Sequence, residues 1–456
     1  MAHEYTVRPY FKMSLDVVNM YQWLLDLYVL DFFVDDHWMK LPSSWRESFS
    51  DIDPLTLGNI ISGQPMNIVM PLSFITLLKC VECLSIPRQS RSMTKRDMTS
   101  VPHTDSCAGH PRLKNLFLKH VKIKKRHEIT QMAEVVKDVA DQTSCNAVLD
   151  FGSGVGHLVR VLAYKYGLYA VGIESQSQLT EEARKHDVEL EYTASKHLSE
   201  KAMAELHRPI HVNMMLKHHQ QLHQIALPQG TDSYGLVGLH PCGDLGPLLL
   251  KCFVTSKNLK FICLVGCCYM KLTGCGYPMS MYAKTVDSDL SYASREIACH
   301  AIEVYCDRLR KGEYEDLKVL RHFYNFVFYY IGLYLYFAKI LVGMDPKLKH
   351  APVRSIKHSD TMTFEGYCTL ALERLDIPLP LEPEVWSRGK KDLEQWRRVV
   401  IVYTLRLALA PLVETVILLD RMLYVLEHGL SCDIRPVFDA KLSPRNHIMI
   451  ARRFDK

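Results

Sequence analysis

One glycine-rich segment constrains the fold more than any other feature of the chain. Residues 148–156 read VLDFGSGVG, an apolar run followed by three alternating glycines. A buried strand of this kind delivers Asp150 to the carboxyl edge of a parallel sheet, where open α/β folds bind their ligands. The glycines permit positive φ, and the helix predicted to begin at His157 directs its amide end at the same place. The segment therefore predicts a nucleotide-cofactor site.

The spacing of this segment indicates which cofactor. Dinucleotide sites favour G-x-G-x-x-G, whereas this turn reads D-x-G-x-G-x-G. Asp150 would repel a pyrophosphate but suits an ammonium group, as in S-adenosylmethionine. Glu174 follows about 20 residues beyond the turn, where an acid commonly holds ribose hydroxyls. We predict that the cofactor contacts Asp150, Gly152, Ser153, Gly154, Gly156, His157 and Glu174. A NAD or FAD site and a plain glycine-rich turn are the alternatives.

Strand-like and helical stretches alternate after residue 113. The predicted strands are 147–151, 169–173, 210–216, 236–239 and 261–265, and the intervening helices include 158–166, 177–186 and 245–253. This alternation predicts an α/β fold, a Rossmann-like parallel sheet covered on both faces. A long helix over 393–428 precedes two strand-like runs, 434–438 and 447–452. A hairpin of this kind would close the far side of the sheet.

The composition bounds the domain organisation. The chain has 456 residues, of which 48% are apolar and 23% charged, and this excludes a wholly disordered chain. We divide it into an N-terminal helical region (1–87), a linker (88–112), a methyltransferase-type core (113–270), a helical insertion (271–392) and a C-terminal helix and hairpin that complete the sheet (393–456).

The fourth and fifth strands lead into candidate substrate-side residues. After the fourth, LHPCGDL (239–245) offers His240 as a base and Asp244 either as a catalytic group or as a helix N-cap. After the fifth, GCCYMKL (266–272) offers Tyr269, which would line the pocket or stack on a base. Adjacent cysteines on a strand point to opposite sides, so the sequence predicts no metal site there.

A basic run precedes the glycine turn. Residues 119–128 read KHVKIKKRHE, and Lys125, His127 and Glu128 are candidates for substrate binding. The run either contacts phosphate or begins a solvated helix. A formal charge of +5 is compatible with RNA as partner.

These motifs together resemble the methyltransferase-like protein 25 family. The resemblance rests on KKRHE (124–128), DFGSGVGHL (150–158), LHPCGDL and VGCCYMKL (265–272), and extends to GYP (276–278), APLVET (410–415), LSPRN (442–446) and the N-terminal helices. It implies a Rossmann-like S-adenosylmethionine-dependent methyltransferase of poorly defined substrate, with ribosomal or transfer RNA as the candidates. Adenine dimethylases of ribosomal RNA carry an Asn-Leu-Pro-Tyr-like motif where this chain has LHPC. The HPCG pattern is more similar to transfer RNA ribose methyltransferases.

Two further hypotheses belong to other classes of protein. One is a non-catalytic methyltransferase fold that binds RNA or a protein partner, the latter through the N-terminal helices. The other is membrane association through Phe323–Gly343, which is long enough to span a bilayer but rich in tyrosine. The apolar stretch Val399–Leu419 contains Arg406 and Glu414 and is expected to be a buried helix. Without an apolar run in residues 1–10, we expect a cytoplasmic or nuclear protein.

Overall fold

A computed structural model describes residues 4–65, 68–89, 113, 121–225, 231, 233–312, 366, 369–370, 373 and 394–454. The chain divides into two compact units. The first comprises residues 1–15, 85–290 and 412–456, and the second comprises residues 16–84 and 291–411. The N-terminal helical region and the insertion, treated above as separate segments, thus contribute most of one unit.

The first unit contains a seven-stranded sheet. Its strands are β1 Ala147–Phe151, β2 Tyr169–Glu174, β3 Ile210–Asn213, β4 Tyr234–Cys242, β5 Leu259–Cys267, β6 Ser431–Pro436 and β7 His447–Arg452. Their spatial order is β3-β2-β1-β4-β5-β7-β6. β7 runs antiparallel to both of its neighbours, β5 and β6, and the other adjacent pairs are parallel. This confirms the predicted Rossmann-like fold with a C-terminal hairpin at one edge. The third strand is shorter than predicted and ends at Asn213.

Helices of the first unit pack against the sheet, and the second unit is built from helices. In chain order they are α1 Glu4–Met20, α2 Gln22–Leu25, α3 His37–Lys40, α4 Ser43–Phe49, α5 Pro54–Ile61, α6 Leu72–Leu84, α7 Ile123–Gln142, α8 His157–Tyr164, α9 Ser177–Ala194, α10 Glu200–Ala204, α11 Leu245–Thr255, α12 Met281–Thr285, α13 Tyr292–Ile297, α14 Ile302–Arg310, α15 Trp396–Ala408 and α16 Ala410–Glu427. Short 3-10 turns cover Val29–Asp31, His219–Gln224 and Tyr269–Lys271.

One continuous apolar core holds the site-bearing strands in place. Alternate residues of neighbouring strands, such as Val148, Val237 and Val265, are fully buried in it. Val136 of α7 and Leu162 of α8 belong to the same cluster. Burying an aliphatic side chain of this size contributes about 1.5–3 kcal/mol relative to leaving it in water. The core therefore fixes the strand ends that carry the candidate site.

The helix predicted over 393–428 is two helices. α15 ends at Ala408 and α16 begins at Ala410, with Leu409 between them. Pro411 has no N–H to donate to the preceding turn, which explains the break. Among the described residues, the stretch Trp396–Glu427 is long and apolar enough to cross a membrane, and 94% of its most apolar window is buried. Phe323–Gly343, the segment behind the membrane hypothesis, lies outside the described residues.

The charge inside this apolar stretch is satisfied within the second unit. Arg406 is 0% exposed, and its guanidinium donates to the carbonyl oxygens of Leu25 at 2.9 Å and Ala293 at 3.2 Å. Its Nη2 also lies 3.7 Å from a carboxylate oxygen of Glu296. A buried guanidinium with this many acceptors fits a helix that packs against protein.

Candidate functional site

The glycine turn between β1 and α8 leaves open space on one side. Gly152, Gly154 and Gly156 have φ values of 74°, 56° and 72°. A Cβ added at Gly152 or Gly154 would meet no atom within 4 Å, whereas one at Gly156 would lie 2.5 Å from the ring of His211. The first two glycines thus border a space that a ligand can enter. The third makes room for a buried side chain.

Glu174 at the end of β2 holds the turn by hydrogen bonds. Its Oε2 accepts from the Gly154 amide at 3.0 Å and its Oε1 accepts from the Gln176 amide at 3.0 Å. The side chain of Asn213 donates to the Glu174 carbonyl oxygen at 2.9 Å. The carboxylate is therefore fixed at the mouth of the turn, and its remaining lone pairs can accept hydroxyl groups.

Asp150 lies at the end of β1 and is 3% exposed. No hydrogen bond from the described residues stabilises its carboxylate. Burial, opposed by the positive charge of Lys125 and assisted by the negative charge of Glu174, raises the pKa of Asp150 to about 7. A buried carboxyl group without a donor is suited to a cationic ligand, which would supply the missing partner.

A network of charged side chains that the sequence did not reveal joins α8, which follows the glycine turn, to α9 and β3. Arg160 Nε donates to Asp187 Oδ1 at 2.6 Å, and Asp187 Oδ2 lies 2.7 Å from His211 Nε2. His157, predicted to touch the cofactor, has its Nδ1 3.3 Å from Arg160 Nη1. Burial first, and then Arg160, lower the pKa of His157 to about 4. The members of the network lie on three different elements, so no local spacing in the sequence predicts their contacts.

His240 and Glu128 form a dyad across the site. His240 Nε2 lies 3.0 Å from Glu128 Oε1, although 112 residues separate the two in sequence. Glu128 is 1% exposed and also accepts from the Ser443 hydroxyl at 2.7 Å. His240 Nδ1 is buried and has no hydrogen-bond partner among the described residues. Because a carboxylate only accepts, Nε2 carries a proton, and in the neutral imidazole Nδ1 presents a lone pair.

Charge interactions keep Glu128 ionised. Burial acts to raise its pKa, but the hydrogen bond and the positive charge of His240, the hydrogen bond from Ser443 and the charge of Lys125 together outweigh burial and lower the pKa to about 2. The Lys125 charge acts on both Glu128 and Asp150. His127 is directed elsewhere, since its Nε2 accepts from the Asp439 amide at 3.0 Å. Of the predicted substrate residues, Lys125 and Glu128 border the site and His127 anchors the segment after β6.

The sheet brings this dyad next to the glycine turn. Asp150 of β1 is paired with Val237 of β4, and His240 follows three residues later on the same strand. Parallel neighbours end at the same edge, so the glycine turn and the dyad lie on adjacent strand ends. This edge is where the sequence predicted both halves of the site.

Two predicted catalytic residues instead have packing contacts. The hydroxyl of Tyr269, which is 1% exposed, donates to Glu414 Oε1 at 2.9 Å. The ring has no open face, so the structure does not support base stacking by Tyr269. Asp244 stands at the start of α11 without making a side-chain cap bond. Its carboxylate accepts from the amide and hydroxyl of Thr273 at 2.9 and 2.6 Å, which ties two loops together.

The cysteines after β4 and β5 do not follow the alternation assumed from the sequence. β5 ends at Cys267, and Cys268 has left the strand with φ 47°. The sulfurs of Cys242, Cys267 and Cys268 consequently lie within 4.8 Å of one another. The prediction that Cys267 and Cys268 point to opposite sides is therefore wrong, because one of them adopts left-handed backbone.

Comparison with known proteins agrees with this geometry. Residues 124–275 match a family model described as "Methyltransferase domain". The chain is 30% identical over 234 residues to "Probable methyltransferase-like protein 25" of Homo sapiens, and 29% identical over 249 residues to its namesake in Mus musculus. The matches cover 47% and 51% of this chain but only 36% and 39% of those relatives. No solved structure matches. The chain therefore contains a Rossmann-like methyltransferase domain and is similar, over about half of its length, to proteins named probable methyltransferase-like protein 25.

Proposed function

We propose that this protein uses S-adenosylmethionine to methylate a hydroxyl group of RNA, with His240 as the general base. The observation that carries the proposal is the Glu128–His240 dyad, whose Nδ1 lone pair is unpaired among the described residues at the edge that also bears the glycine turn. A positioned imidazole of this kind contributes about 10²- to 10⁴-fold to a reaction in which a proton must be removed.

The residues at the turn fit S-adenosylmethionine. Asp150 would receive its ammonium group, Glu174 its ribose hydroxyls, and the space beside Gly152 and Gly154 its backbone-contacting atoms. The buried carboxyl group of Asp150, which has no donor among the described residues, is the observation that favours a cationic ligand. When bound, S-adenosylmethionine supplies a methyl group on a positively charged sulfur, an electrophile that needs no further activation.

The protein's own part is positioning and proton removal. His240 Nδ1 would accept the proton of the acceptor hydroxyl while the hydroxyl oxygen bonds to the methyl carbon and the carbon–sulfur bond of the donor breaks, its electron pair going to sulfur. Glu128, held ionised, stabilises the imidazolium through Nε2 and keeps the ring in its reactive tautomer. Ser443 fixes Glu128 in turn. RNA as the acceptor rests on the basic run at the start of α7 and on the resemblance of the motifs, and Lys125 would contact its phosphates.

Transfer of labelled methyl groups from S-adenosylmethionine to total cellular RNA tests the proposal. We expect transfer by the full chain, a fall of at least about 100-fold in His240→Ala, and a similar fall in Glu128→Gln. His428→Ala is the matched control, because this histidine is exposed at the end of α16. Transfer that persists in His240→Ala would refute the base. Binding of cofactor and RNA without transfer would instead support the non-catalytic alternative.

A further inference from the structure

We propose that Cys242, Cys267 and Cys268 form a zinc site with three thiolate ligands at the ends of β4 and β5. Cys268 Sγ lies 3.3 Å from Cys242 Sγ and 3.3 Å from Cys267 Sγ. All three sulfurs lie within 4.8 Å of one another.

The backbone explains how three sulfurs converge. Cys242 and Cys267 are register partners on adjacent parallel strands, which puts their side chains side by side. Cys268 would point to the opposite side if β5 continued, but its φ of 47° and ψ of 52° turn the chain at this residue. A non-glycine residue in this region costs roughly 1–3 kcal/mol and persists where the surrounding structure determines it.

The dimensions suit zinc with a small adjustment. Tetrahedral zinc with Zn–S bonds of about 2.3 Å requires sulfurs about 3.8 Å apart. The two pairs at 3.3 Å would each have to open by roughly half an ångström. Cys242 is exposed and the other two are half-buried, so an ion can reach the cluster from solvent.

The chemistry of the donors selects the ion. Thiolates prefer thiophilic ions such as Zn²⁺ to magnesium or calcium, and three protein ligands leave the fourth position to water. Binding converts the thiols to thiolates, releases their protons to solvent and transfers no electrons. The ion would join the loops after β4 and β5, and thereby hold the strand end that carries His240.

Metal content and metal titration of the full chain test this site without any measurement of methyl transfer, so the result is independent of the proposed reaction. The protein is stripped with a chelator under reducing conditions and titrated with Zn²⁺, and with Co²⁺ as a spectroscopic probe. We expect one equivalent of Zn²⁺ and the absorption of thiolate-bound tetrahedral Co²⁺. X-ray absorption should show three sulfur neighbours around the zinc.

Serine variants identify the ligands. Cys242→Ser, Cys267→Ser and Cys268→Ser should each weaken zinc binding by more than about 100-fold, since even the partners of metal ligands account for about 10- to 100-fold. Cys275→Ser is the matched control, an exposed cysteine of the same unit that lies outside the cluster, and should bind as the parent does. Circular dichroism checks that each variant folds. Absence of stoichiometric zinc, equal binding by Cys242→Ser, or a disulfide among the three cysteines would each overturn the proposal.

Discussion

Replacing Asp150 with asparagine separates the charge of this side chain from its shape. If Asp150 binds a cationic cofactor, the ionised form is the one that binds, and its pKa of about 7 sets the pH dependence. The ionised fraction is about 9% at pH 6 and about 50% at pH 7, so the affinity should rise about fivefold over that unit. The α-amino group of the ligand titrates at about 7.7–8.0 and stays largely protonated there.

Calorimetric titration with S-adenosylmethionine at pH 6 and 7 measures this effect. Asp150→Asn should bind about 10- to 150-fold more weakly at pH 7, since a hydrogen bond to a charged group is worth about 1.5–3 kcal/mol. Its affinity should also lose the rise between pH 6 and 7. Equal affinities in parent and variant, or the same pH profile in both, would refute the assignment of Asp150.

The same substitution should weaken cofactor binding but increase the free energy of unfolding. A carboxyl group whose pKa is raised on folding costs stability as pH rises, with the full cost present above the folded value. For a shift from 3.8 to about 7 the ceiling is about 4 kcal/mol. Asp150→Asn should therefore be more resistant to urea than the parent at pH 8, while binding less cofactor. A variant less stable than the parent would show that Asp150 supports the fold instead.

Three further perturbations test the packing around the site. Gly156→Ala should lose about 1–3 kcal/mol more in urea unfolding than Gly167→Ala, because both have positive φ but only the first adds a clash, with the ring of His211. Tyr269→Phe should cost about 1–3 kcal/mol without changing cofactor affinity, since Glu414 loses a buried donor. Basic neighbours outweigh burial and lower the pKa of Glu414 to about 2, so about 3 kcal/mol of stability should be lost as pH falls from 4.5 through 2. Acid unfolding of Glu414→Gln should lack that component.

Local patterns in the sequence were sufficient to predict the sheet and the glycine turn. β1, the turn and α8 are continuous in the chain, and their apolar periodicity and glycines depend on neighbours only a few residues away. The alternation of strands with helices was sufficient to predict a mostly parallel sheet. The break at Leu409 was missed because apolar residues continue on both sides of Pro411, although proline at that point marks a helix start.

Contacts between residues far apart in the chain could not be predicted from the sequence. His240 and Glu128 were both singled out, but nothing in their spacing predicted the 3.0 Å contact between them. Ser443, which holds Glu128, lies 315 residues away in the chain. Tyr269 was assigned to the pocket because of its residue type. Its hydrogen bond to Glu414 depends on how α16 packs. Pairings of this kind become visible only when tertiary structure is known.

Strained backbone conformations occur at the ends of β4 and β5, where both proposed sites lie. Four non-glycine residues in the described part of the chain have positive φ, and two of them are His240 and Cys268. Such residues are held in place by their surroundings, and here Glu128 holds one ring while two neighbouring sulfurs surround the other side chain. The pairing of β4 with β5 is irregular between Leu239 and Cys242, where His240 lies. Both departures from regular strand geometry, at His240 and at Cys268, thus fall at residues on which the two proposals depend.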